Sequence, residues 1–382
     1  MSGQGFLASP AFNVDEKGRR YQEFLEQSGA QEGSVESLRE WTDAHKGQGH
    51  ATIAHTVLKI VTMTKDEWPL IKDWVIYHGD LIGFENLYII DGSRDLRSIK
   101  FLIHARAVWG VNVIFSSAGL NQLQSKLSES AKEISKASHF VAKLDADEFL
   151  VARTANAFCT DKSNRTNDSF SPDCTLSPYM VKSTLERLRL ITNGERLRFG
   201  YIMKSQASAV ACKSDQKHDI GLFPLLGPAD AGWIKTISDS RTLTGIDLGG
   251  HNNFFVPPFG RAFGAATDLG IIHFHDRCFE EEVSNCRKAV VSHNFIDESD
   301  TDEVATLRLF KLLHEWGNPL PSPGVCNVEA NIGVSLHKVL FYLNFLVGCI
   351  SEDNFYPSLE GAKTNPDFVH FLHDVRLRYN IE

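Results

Sequence analysis

Much of what this chain of 382 residues could have been is excluded by what it lacks. Its seven cysteines, at positions 159, 174, 212, 278, 286, 326 and 349, contain no Cys-x-x-Cys pair, so the usual ligand spacing of a structural zinc site is missing. There is no Lys/Arg-rich block with interleaved aromatics, and a formal net charge of -9 argues against non-specific nucleic-acid binding. No apolar run reaches the roughly 20 residues that a bilayer span needs. The most apolar segment, Val339–Ile350, reads as a buried helix; a peripheral membrane contact or a homodimer through 334–350 is the sharper alternative. No internal repeat is present. The N-terminus shows no apolar leader, and an odd cysteine count fits a reducing compartment. A cytoplasmic protein, with an optional membrane-surface contact, is the expectation. One region pulls the other way. Cys159 and Cys174 bracket two N-glycosylation patterns, Asn164-Arg165-Thr166 and Asn167-Asp168-Ser169, which in a secretory lumen would sit on a disulfide-closed loop.

What is present is an ordinary soluble composition, 42% apolar and 23% charged, long enough for two domains or for one α/β domain with additions. Residues 1–50 are polar and carry two short amphipathic patterns, around Tyr21-Phe24-Leu25 and Val35-Leu38-Trp41, as expected of a helical appendage. From Val57 strands and helices alternate. Val57–Met63, Leu87–Ile90 and Val111–Phe115 read as buried strands. Helical spacing follows at Trp68–Ile82, Ile99–Val108 and Gln122–Ala137. This alternation predicts an α/β fold with a mostly parallel sheet. Beyond an insertion at about 153–180 the chain turns β-rich: 196–205 and 208–212 as strands, Gly221–Ala231 as loop, and 233–276 with Gly and Pro punctuation. From 296 to 382 a helical extension is expected, with helices at 302–316, 329–350 and 366–378.

The most informative stretch is Phe140-Val-Ala-Lys-Leu-Asp-Ala-Asp-Glu-Phe-Leu150. An apolar run delivers Asp145 and Asp147 at a strand end, the end that faces the ligand crevice in open α/β sheets. Two carboxylates one residue apart in a partly desolvated site call for a cation, and Mn²⁺ or Mg²⁺ holding a diphosphate suits them. A bare Asp-x-Asp is a weak signal, however, and the chain carries its own control. Asp300-Thr301-Asp302 precedes a helical pattern and reads as a helix N-terminus.

These residues and their order resemble the GT-A glycosyltransferases, and more narrowly the group related to families 2 and 92. The similar blocks are Thr64-Lys65-Asp66-Glu67, Asp73-Trp74-Val75-Ile76-Tyr77-His78, Leu87–Asp95, the Asp-x-Asp-Glu-Phe-Leu of 145–150, Trp233–Ile237 leading to His251, and Ile271–Arg277. The resemblance covers about 55–295 and departs at Asp66, where the group has Asn, and in the length of the 153–180 insertion. It implies a GT-A, Rossmann-like domain over 51–295 with a β-rich acceptor half and a helical tail. It also implies inverting, metal-dependent transfer of a sugar from a nucleoside-diphosphate donor to a hydroxyl of a glycan or glycoconjugate. Asp145, Asp147, His273 and His275 are the expected metal ligands, the two histidines alternating on one face of a strand. Glu148 is placed to orient one of the two aspartates, or is a plain sheet-end charge. Donor contacts are expected from Thr62, Lys65, Glu67, Asp91, Asp95 and Asp145, with Lys235 and Arg277 on the diphosphate. For Asp91 an Asx turn in Asp-Gly-Ser is the plainer reading. The general base is left open among Asp239, Asp247 and Asp276. Trp233, Phe254, Phe255 and Phe259 either stack on an acceptor sugar or pack in a core. The competing readings are a non-catalytic nucleotide or carbohydrate binder of the same fold, and a metal-dependent hydrolase built on His273-Phe274-His275-Asp276.

Overall fold

The computed structural model describes residues 14–33, 56–118, 120–154, 176–192, 194, 196–207, 212, 219–223, 225–228, 235–251, 253–255, 265–317, 334–356 and 364–380. The Val35-Leu38-Trp41 pattern, Cys159, Cys174, both glycosylation patterns, Trp233 and Phe259 lie outside them. The strands, in chain order, are β1 (Thr56–Thr64), β2 (Leu87–Asp91), β3 (Asn112–Phe115), β4 (Ser138–Lys143), β5 (Glu148–Arg153), β6 (Leu176–Ser177) and β7 (Arg196–Arg198). They continue with β8 (Tyr201–Gln206), β9 (Leu225–Pro228), β10 (Thr236–Asp239), β11 (Leu243–Gly245), β12 (Phe254–Phe255), β13 (Ala265–Ala266) and β14 (Leu269–Asp276). The chain forms two compact units, one of residues 1–146, 185–198 and 235–265, the other of 147–184, 199–234 and 266–382.

The first unit is built on a seven-stranded sheet in the order β13-β7-β10-β4-β1-β2-β3. β4, β1, β2 and β3 run parallel, and β10 joins antiparallel to β4. The strands are apolar on both faces, as a sheet covered on both sides requires. Side chains alternate along each strand. Val61, Tyr88, Ile90, Ile114 and Val141 pack with Leu127, Ala131 and Ile134 of the Leu120–Ser135 helix. In the Leu70–Ile82 helix, Asp73, Trp74, Tyr77 and His78 are all buried. The His78 Nδ1 lies 2.9 Å from the Trp74 carbonyl oxygen, and burial lowers its pKa to about 3. This block of the resemblance is therefore core packing, and His78 stays neutral at physiological pH.

The second unit holds a five-stranded sheet, β6-β5-β14-β8-β9. β5 follows directly on Asp147, so Phe149 and Leu150 lie in a buried strand of another sheet. β9 occupies part of the expected 221–231 loop. The helices Phe279–Ser292, Asp302–Glu315 and Val334–Leu346 share one core, in which Val290, Leu309, Leu313, Val339 and Leu343 are fully or almost fully buried. The most apolar segment of the chain thus packs within its own unit. No helix among the described residues is long and apolar enough to cross a membrane. The α/β class, the mostly parallel flanked sheet and the helical tail are as the sequence predicts.

The cysteines differ from expectation. Cys212 and Cys278, 66 positions apart with Cα atoms 5.6 Å apart, form a disulfide within the second unit. Spacing in the sequence does not suggest this pair.

Candidate functional site

In the first unit the chain steps from β1 to β2 to β3 on one side, while β4 lies on the other side of β1. The connection order therefore reverses between β1 and β4, and ligands bind outside the carboxyl ends of strands at such a reversal. Lys143 is the last residue of β4, and the Leu144 amide donates to the Val61 carbonyl at 3.2 Å, keeping the chain on β1 for one more step. Asp145 follows. One of its carboxylate oxygens is paired with the Lys143 ammonium, and the other accepts from Lys235 Nζ at 2.6 Å. The two lysine side chains are 1% and 2% exposed, while Asp145 is 40% exposed. A turn ending at Gly250 locks this cluster. Gly250 has φ +69°, and a Cβ there would come within 3.0 Å of the Lys143 carbonyl and 3.2 Å of its side chain. Its own carbonyl accepts from both the amide and the hydroxyl of Thr236, each at 2.9 Å, next to Lys235.

These contacts decide how well Asp145 suits a divalent cation. Both of its oxygens are engaged by ammonium groups. A doubly charged ion about 4 Å from either ammonium would meet a repulsion of about 8 kcal/mol at an effective dielectric of 20. Asp145, expected as a metal ligand, does not fit that role.

Asp147 belongs to the second unit and has different company. Its carbonyl accepts from the Phe274 amide at 2.8 Å, fastening it to β14. Its Oδ2 accepts from Arg277 at 3.2 Å, and its Oδ1 lies 3.6 Å from His273 Nε2. The latter is too long for a hydrogen bond. It is close to the separation of about 3.0–3.5 Å between two atoms that each lie about 2.1 Å from one ion. The spacing of Asp147 and His273 is one that a shared cation could use, while the Arg277 guanidinium on Oδ2 opposes such an ion as the ammoniums do at Asp145. Glu148 is 1% exposed and pairs in register with His273 across β5 and β14. The side chains of His275 and Asp276 lie outside the described part of the structure. Among the described residues, no three His, Cys, Asp or Glu side chains gather as a metal-binding group.

The remaining expected residues are placed as follows. Thr62 is fully buried within β1, two residues short of its end. Lys65 and Glu67 are half-buried in the segment leading to the Leu70–Ile82 helix, and the Glu67 carbonyl accepts from the Ile71 amide at 2.8 Å. Asp91 makes the Asx turn: its Oδ1 accepts from the Ser93 amide at 3.2 Å and hydroxyl at 2.6 Å, while Oδ2 is buried without a hydrogen-bond partner. Burial pushes its pKa up to about 7 against the hydrogen bonds from Ser93. Asp95 caps the Leu96–His104 helix and binds Arg97, which, against the upward push of burial, holds its carboxyl below the usual range. Asp66, the departure from the family pattern, has φ +55° and accepts from the Arg94 and Asp95 amides at 2.6 and 2.7 Å. It ties the β1 loop to the β2 loop, a geometry that Asp tolerates as well as Asn. Asp239 is buried and held by Arg241 and the Gly194 amide. Although burial raises its pKa, the Arg241 bonds and charge lower it more, which is the wrong direction for a general base. Asp247 is half-buried at the start of the Gly250 turn.

Lys143, Tyr21 and Glu32 contribute without any local signal in the sequence. Lys143, a lone lysine inside an apolar run, pairs with Asp145 two positions on, and nothing in that run shows that Lys235 meets the same carboxylate from 90 positions away. Tyr21, on the Val14–Ser28 helix, donates to the Asp91 carbonyl at 2.9 Å, and Glu32 accepts from the Ser117 amide and hydroxyl. The N-terminal segment thus covers the carboxyl ends of β2 and β3.

No protein-family model matches the sequence, and no curated protein matches it. Among solved structures the chain is similar to S. aureus TarS 1-349, at 10% identity and a TM-score of 0.28, over 84% of this chain and 80% of that one. It is also similar to S. aureus TarS, at 9% identity and a TM-score of 0.27, over 84% of this chain and 53% of that one. At TM-scores this low the likeness speaks for neither fold nor function.

Proposed function

We propose that the chain is a glycosyltransferase that takes its sugar from a nucleoside-diphosphate donor. The observation that carries this reading is the placement of the Asp-x-Asp segment. It leaves β4 at the point where strand order reverses, the position where α/β sheets bind nucleotides. The same tripeptide on a solvated turn would carry no such meaning.

In the reaction the bond from the anomeric carbon to the diphosphate breaks, a bond from that carbon to the acceptor oxygen forms, and the acceptor proton passes to a base. A divalent cation held by Asp147 and His273 would supply Lewis-acid character. Arg277 donates to the other oxygen of Asp147 and fixes the orientation of that carboxylate. With Asp239 committed to Arg241, Asp247 is the base candidate carried forward in the first unit. Phe254, half exposed there, offers an aromatic face for an acceptor sugar.

A thermal-shift panel of uridine, guanosine, adenosine and cytidine diphosphates and their sugars tests the donor class. Stabilisation by one base series, about 2.7 kcal/mol at a hundredfold excess over the dissociation constant, is the expected result. No shift with any of them would remove the reading.

A further inference from the structure

We propose that Lys143 and Lys235 form an anion site for the donor diphosphate, with Asp145 as its resident counter-ion rather than a metal ligand. This deepens the donor reading and rests on it. Both lysine stems are almost wholly enclosed, and an ammonium in such surroundings must face an anion. Lys143 ends β4 and Lys235 directly precedes the neighbouring strand β10, and the two converge on the two oxygens of one carboxylate. Two ammoniums that converge on two oxygens of a carboxylate present the donors that a phosphate group needs. Asp145 is also the one member of the cluster open to water, so an incoming anion approaches from its side.

The place and the rigidity agree. The cluster sits at the carboxyl end of β4 beside β1, where the strand order reverses. Gly250 packs directly on Lys143, and its bonds to Thr236 hold the residue next to Lys235, so neither ammonium depends on a long unsupported side chain. Asp145 acts here as a positioning residue. It keeps two like charges together until a diphosphate takes over that task.

The test is calorimetric titration of the full chain with inorganic pyrophosphate and with the four nucleoside diphosphates, in EDTA and in Mn²⁺. In EDTA, Lys235→Ala should weaken pyrophosphate binding by about tenfold or more, each such step being 1.4 kcal/mol. Asp145→Asn should tighten it several-fold, because the competing carboxylate is gone. That second variant keeps the test decisive if Lys235→Ala does not fold, as judged by its melting curve. A metal-ligand role predicts the opposite: binding that requires Mn²⁺ and is lost in Asp145→Asn. That result, or the absence of pyrophosphate binding to the wild type, overturns the proposal. Failure of the donor reading looks different, with pyrophosphate bound in EDTA and no nucleoside diphosphate bound more tightly than pyrophosphate.

Discussion

Asp145-Ala146-Asp147 and Asp300-Thr301-Asp302 have the same spacing of carboxylates in opposite surroundings. In the second, Thr301 caps the Asp302–Glu315 helix by accepting from the Val304 amide, and Asp302 stands in its first turn. Asp300 accepts from the Asp297 amide at 2.7 Å and lies 3.3 Å from Arg308. Every acid there is consumed by local structure, and the side chain of Asp302 is 68% exposed. In the first, Asp145 meets Lys143 close by but also Lys235 from far along the chain, and Asp147 meets His273 and Arg277, both distant in sequence. The tripeptide does not make a site. What separates the two is setting: the first leaves a strand at a reversal of sheet order beside buried cations, and the second opens a helix.

The comparison sharpens when a third strand-end acid is included. Asp91 has a carboxyl whose pKa burial raises from 3.8 to about 7. The folded state therefore holds this proton more tightly than the unfolded chain. Its contribution to stability is complete below pH 3.8 and is lost as pH rises through 7. At about 1.4 kcal/mol per unit, that is on the order of 4 kcal/mol. Melting temperatures of the wild type should fall across this window, and those of Asp91→Asn should fall much less. Parallel curves for the two proteins would show that Asp91 ionises freely. Smaller effects separate the two Asp-x-Asp segments. Asp145→Ala removes an anion shared by two buried lysines and should cost about 2–3 kcal/mol, below the 3–5 of a fully buried pair because Asp145 is partly solvated. Thr301→Ala should cost about 1 kcal/mol as a lost helix cap. Asp302→Ala should cost about 0.5 kcal/mol or less, as an exposed ion pair with Arg287. Denaturant melts that rank these three in another order would break the comparison.

What was legible in the sequence was whatever local pattern determines. β1 to β4 follow from short apolar runs and the Pro366–Arg378 helix from its helical spacing, while the Asx turn seen at Asp91 was the alternative to the donor contact expected there. What was not legible depends on distant partners. β5 begins with no Gly or Pro to announce that the chain is leaving one sheet for another. Cys212 and Cys278 are 66 positions apart, and spacing alone cannot pair them. Lys235 was foreseen as a phosphate contact. That Lys143 would join it on Asp145 needed the pairing of β4 with β10, in which Ala142 lies opposite Ile237.

The most direct test of the central claim is the release of nucleoside diphosphate from a panel of sugar nucleotides, measured side by side for the wild type, Asp147→Asn and Asp302→Asn. The account predicts release from at least one donor by the wild type, an equal rate for Asp302→Asn, and a rate at least about a hundredfold lower for Asp147→Asn, as loss of a key electrostatic contact gives. No release from any donor, or an Asp147→Asn variant as fast as the wild type, would contradict it.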